Sequence, residues 1–154
     1  MSTYYSAEEK LRTLAQANVT LQSFLLSGGI FRWFATQLQP GYASAGSCVR
    51  VTRPSAVYTY QQQGPLSLEQ VRLQFDCIDQ SQTTARQLML AVKDFLGTVD
   101  LMSDAQFTSP PTTPTQFPNY ELSERGPLVE YQASLQLWVW AMDWRIFNDT
   151  LITS

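Results

Sequence analysis

Between Leu68 and Gly97 the hydrophobic period of this chain switches once, and few folds accommodate that switch. From Val71 to Ile78 the residues alternate, with Val71, Leu73, Phe75 and Cys77 on one side and Arg72, Gln74 and Asp76 on the other, the signature of a half-buried strand. After Asp79-Gln80-Ser81-Gln82, which offers turn and N-cap oxygens, Ala85, Leu88, Met89, Val92, Phe95 and Leu96 fall on one stripe of a helix. Gly97 is expected to end it as a C-cap in the left-handed conformation. A strand with one apolar face feeding a helix with one apolar stripe predicts a two-layer unit, the helix lying across a sheet.

Other elements are read against that unit. Ser6 to Glu9 spells a capping box, so a first helix starts there with Ala7, Leu11, Leu14 and Asn18 inward, flanked by Ala15 and Ala17. Val19 to Leu26 reads as an apolar turn or second helical piece stopped by Gly28-Gly29, and Ile30 to Phe34 is too densely apolar to assign. Cys48 to Arg53 is a β-branched strand. It is expected to pair antiparallel with its successor through a long protruding hairpin containing Tyr58, Tyr60 and Gln61-Gln62-Gln63-Gly64-Pro65. Residues 103–125, with prolines at 110, 111, 114 and 118, are expected to form a surface loop. Val129 to Ala141 alternates without a break and predicts the longest strand, and 143–154 is the C-terminal segment. The 154 residues suit one α+β domain, an antiparallel sheet of about four strands packed on two main helices.

The chemistry is narrow. With no histidine, triads, His-ligated zinc and imidazole bases are excluded, and Gly28-Gly29 lacks the residues of a phosphate loop. Glu8-Glu9, Asp76-Asp79 and Asp100-Asp104 read as solvated acids at caps and turns, so no catalytic residue, metal or cofactor is expected. Arg50, Arg53 and Arg72 could form an anion patch. They read better as outward charges that keep sheet edges apart. A net charge of −3 argues against direct grip on DNA, and no apolar run approaches the roughly 20 residues that span a bilayer. Cys48 and Cys77 read as reduced core thiols of a chain that matures in cytoplasm.

Charged residues make up 15% of the chain, below the roughly 25% of an ordinary soluble domain. Part of the exterior is therefore expected to be covered by other subunits. Trp138 and Trp140 should stand about 7 Å apart on the face opposite Leu137 and Val139, with Trp144 soon after. These rings need a cover, either the chain's own helix and C-terminal segment or a neighbouring subunit. Tyr58, Tyr60, Gln62, Trp138, Trp140 and Trp144 are the candidate interface residues.

The order of parts resembles the tail-completion or tail-terminator proteins of long-tailed bacteriophages. The resemblance is carried by Glu9-Lys10-Leu11 in the first helix, the step Gly29-Ile30-Phe31, the strand Cys48 to Arg53, and Gly64-Pro65-Leu66 with Val71-Arg72-Leu73-Gln74-Phe75-Asp76. Thr84-Ala85-Arg86-Gln87-Leu88 with Ala91-Val92 completes it. It implies a structural virion protein and no enzyme. Six copies would close into a ring at the head-proximal end of the tail tube, ending tube growth and meeting the tube protein and the head–tail connector. DNA would pass through the lumen without specific binding, in a particle assembled in the host cytoplasm. The alternatives are another neck or connector protein of the virion, or a bacterial cytoplasmic module that binds a peptide or small ligand in its aromatic face.

Overall fold

The computed structural model describes residues 2–4, 6–34, 46–53, 68–101, 119–122, 126–149 and 151–153. Among these residues three helices, α1 (Ala7–Ala17), α2 (Val19–Leu25) and α3 (Gln82–Thr98), accompany ten strands: β1 (Ser2–Tyr4), β2 (Leu26–Ser27), β3 (Ile30–Phe31), β4 (Trp33–Phe34), β5 (Cys48–Thr52), β6 (Leu68–Asp79), β7 (Tyr120–Glu121), β8 (Leu128–Gln132), β9 (Leu137–Asp149) and β10 (Leu151–Thr153). Six strands make the main sheet in the order β4-β5-β6-β9, with β7 and β8 sharing the far edge of β9. Every pairing in it is antiparallel except β4 with β5. The result is a small α+β domain, with two more strands than expected because β4 and β7 are only two residues long.

The strand-to-helix unit forms as its periods require. Val71, Leu73, Phe75 and Cys77 of β6 point at the six-residue stripe of α3, and all ten side chains are buried. Ser81 caps α3 by accepting from the Thr84 amide at 3.4 Å. Gly97 does not end the helix. It lies inside α3 outside the left-handed region, and Val99 is the C-cap, its amide donating to the Phe95 carbonyl.

Ser6 caps α1, accepting from the Glu9 amide at 3.2 Å. The inner stripe is Ala7, Lys10, Leu11, Leu14 and Ala15, with Lys10 in place of the expected Asn18, and Ala17 is exposed. Lys10 is 1% exposed and donates from Nζ to the Leu101 carbonyl at 3.1 Å, tying α1 to the chain beyond α3. Asn18 turns away to cap α2, accepting from the Leu21 amide. The segment left unassigned resolves into a tight hairpin, β2 against β3, through Gly28 and Gly29, both at positive φ as a two-residue turn demands. Trp33 then enters the core, edge-on to Phe75 and Phe95 at about 6 Å.

Three expectations about the second half need correction. The single strand over Val129 to Ala141 is a hairpin: β8 turns at Ala133–Gln136 and pairs with the start of β9, Val129 opposite Trp140 and Tyr131 opposite Trp138. The strand continues past Ala141 into the C-terminal segment, because β9 runs on to Asp149 as the second central strand, in register with all of β6. The loop expected over 103–125 gives way to structure at Asn119. This residue is buried and its amide donates to the Leu96 and Val99 carbonyls, while its Oδ1 accepts from the Phe147 amide. The proline-rich part and the long hairpin loop lie outside the described residues.

Candidate functional site

Alternation on β5, β6 and β9 gives the sheet two unlike faces. One carries Val49, Val51, Val71, Leu73, Phe75, Met142, Trp144 and Ile146 into the core beneath the helices. The other begins with a small buried cluster, Cys48, Ile78, Leu137 and Val139 with Phe34 beside it, and then becomes ionic. Arg50 lies opposite Asp76 and binds it through Nε at 2.8 Å and Nη2 at 2.7 Å, while the Gln74 side chain donates to the other carboxylate oxygen at 2.9 Å. Arg72 binds Asp143 at 3.0 Å. Arg72 also stands directly opposite Arg145 in the β6–β9 ladder.

This arrangement corrects two readings of charge. Asp76 is no solvated turn acid; it is 1% exposed in mid-strand, held by Arg50 and Gln74. Asp79 ends β6, accepting from the Ser47 hydroxyl and the Ser81 amide. Nor do the arginines guard edges. Arg50 and Arg72 sit on interior strands, and Arg53 pairs with Glu8 of α1.

The two cysteines are free. Cys48 stands opposite Ile78 on one face and Cys77 opposite Val49 on the other, so the sheet lies between their sulfurs. Burial pushes the Cys77 thiol well above its ordinary value, and neighbouring Asp76 adds to the effect. Burial also raises Cys48, against the opposing pull of Arg32. Both are held as neutral, unreactive thiols. Among the described residues no group of three or more His, Cys, Asp or Glu is placed to hold a metal, and no helix is long and apolar enough to cross a membrane.

The expected interface aromatics separate. Tyr58, Tyr60 and Gln62 lie outside the described residues. Trp144 is 4% exposed and packs in the core of its own chain. Trp140 is half-buried against the same core, on the helix-packed side. Trp138 is half-buried on the β8–β9 hairpin, with Tyr131 packed edge-on at 4.9 Å. The exposed apolar surface is beside them: Leu128, Val129 and Tyr131 of β8 and Leu135 of the turn are 44–61% exposed. Sequence reading missed these four because an unbroken alternation hid the turn. No residue of the turn signals it; once it is placed, the ladder puts Trp138 and Trp140 on one face with Tyr131 and Val129. A second feature is a groove of about 280 Å³ where α1 meets β4 and β5, lined by Glu8, Glu9, Arg12, Trp33, Phe34 and Val51.

No protein-family model matches the chain, and no curated protein matches it. Among solved structures it is similar to a chain in the virion of a native gene transfer agent particle. The two superpose with a TM-score of 0.61 over 92% of this chain and 93% of the other, at 12% identity. At that identity the likeness is one of fold, and it extends over nearly the whole of both chains.

Proposed function

We propose that this protein is a structural component of a virion, a tail terminator that forms a ring at the head-proximal end of the tail tube, stops tube growth and joins the tail to the head connector. The observation that carries the proposal is the near end-to-end likeness in fold to a chain in the virion of a native gene transfer agent particle. The residues support it in two ways. Buried acids on the sheet are held by arginines, and both thiols are kept neutral, so these groups are committed to structure rather than turnover. The β8 strand also presents a band of exposed apolar side chains of the kind that subunit interfaces cover.

Light scattering on the purified protein, followed by negative-stain imaging, tests the ring directly. A closed ring is expected, and a stable monomer at high concentration would count against it. Function is tested in a phage lacking this protein, which should assemble heads but make tails of uncontrolled length that fail to join them. Normal-length tails attached to heads would end the proposal. Finished tails of normal length left unattached would move the protein to a connector one step nearer the head. The groove beside Trp33 favours a second reading, a ligand-binding module, for which a monomer in solution would be the first sign.

A further inference from the structure

Cross-strand neighbours of like charge destabilise a sheet, yet Arg72 and Arg145 face each other across its two central strands. Among the described residues only Arg72 has a carboxylate, Asp143, and the buried Nε atoms of both arginines lack a partner. Arg145 is half-buried between Arg72 on β6 and Tyr120 on β7, where Tyr120 packs against Phe147 at 6.3 Å. Arg50 is spent on Asp76; of the other acids at positions on this face, Asp149 ends β9 four residues, about 13 Å, beyond Arg145, and Glu130 pairs opposite Val139, about 20 Å along β9 from Arg145. The middle of this face thus carries three guanidiniums against two carboxylates, an excess of one charge. A polyanion needs several phosphate contacts to be held at physiological salt, whereas one forked guanidinium beside another suits one carboxylate.

The chain itself supplies that group, for its 13 acids outnumber its 10 bases. Glu130 is the sole acid of β8 and is exposed, on the same face of this edge strand as the exposed Leu128 two residues before it. We infer that Arg145, with Arg72 behind it, accepts the Glu130 carboxylate of a second copy, so that β8 of one subunit docks on the ionic face of the next. The contact is head-to-tail, since the two patches lie on different parts of one molecule, and such contacts build rings when the rotation closes. The inference rests on the ring reading and adds to it the surfaces that meet.

The test compares wild type with Arg145→Gln and Glu130→Gln by light scattering across a concentration series. Each variant should associate about tenfold or more weakly than wild type, and the exchange Arg145→Glu with Glu130→Arg should restore association. Measured where all species are monomers, Arg145→Gln should melt roughly 1–3 °C higher than wild type, because removing the opposed charge relieves the sheet. A lower melting point with unchanged association would make Arg145 a structural residue only. Either Gln variant assembling as wild type does would overturn the contact while leaving the ring standing; a wild type that never associates would instead end the ring reading. Duplex DNA bound by wild type and released by Arg145→Gln would assign the pair to phosphate and overturn the inference as well.

Discussion

The two faces of the main sheet are built from the same strands and obey different physics. On the helix-packed face Phe75, Leu73 and Val71 meet Met142, Trp144 and Ile146 across the ladder, and stability comes from removing apolar area from water. One residue further along each strand, the neighbours are Asp76, Gln74 and Arg72 against Ala141, Asp143 and Arg145, where each buried charge must find a partner. The first face gains with every side chain added. The second is only as good as its least satisfied member, and Arg145 marks where the single chain falls short.

That contrast can be broken by experiment. Phe75→Ala should cost about 3–5 kcal/mol in urea unfolding, because the ring is fully buried beside Trp33 and its removal leaves a cavity. Asp76→Ala on the adjacent position should cost less, about 1.5–3 kcal/mol, the range for hydrogen bonds to a charged group, since Arg50 keeps some access to water once its carboxylate is gone. If Asp76→Ala proves the costlier, the ionic face and not the apolar one holds the fold.

A pH series separates the faces further. Cys77, on the apolar face, keeps its proton in the folded state to higher pH than in the unfolded chain. Its contribution is therefore complete below pH 9.0, the ordinary thiol value, and is lost as pH rises through the folded value, at up to about 1.4 kcal/mol per pH unit. Cys77→Ala should flatten that alkaline decline in chemical unfolding; an unaltered slope would refute the assignment. The smallest effect is expected from Gly97→Ala on the helix layer. An added Cβ there meets nothing within 4 Å and the backbone is not left-handed, so the change should stabilise by about 0.5–1 kcal/mol. A loss would mean that Gly97 caps α3 after all.

The sequence made the apolar face legible because its alternation and helical stripe follow directly from which side chains avoid water. The ionic face was harder. Arg72 and Arg145 are far apart in the chain, and only the register of β6 on β9 brings them opposite each other. Lys10 was missed because a lysine seldom enters a core; here a carbonyl at the end of its reach makes burial tolerable. The hairpin at Ala133–Gln136 carried no Gly, Pro, Asn or Asp, and Gln136 takes a positive φ that nothing in its side chain advertises. Asn119 was hidden inside a stretch whose prolines argued for a loop, although its amide joins α3 to β9.

The long pairing of β6 with β9 also sets how this protein must reach its native state. Its closest partners in sequence are Asp79 and Trp138, and its most distant are Leu68 and Asp149, so the centre of the sheet forms only after a large loop has closed. β6 and α3 can meet early, being adjacent in sequence, but they then wait with one strand edge bare. A mispairing by one residue would turn Trp144 out of the core and drive Arg145 into it, an error too costly to persist. Folding should accordingly be slow for a chain of this size and selective at its last major step, with the arrival of β9 as the committing event.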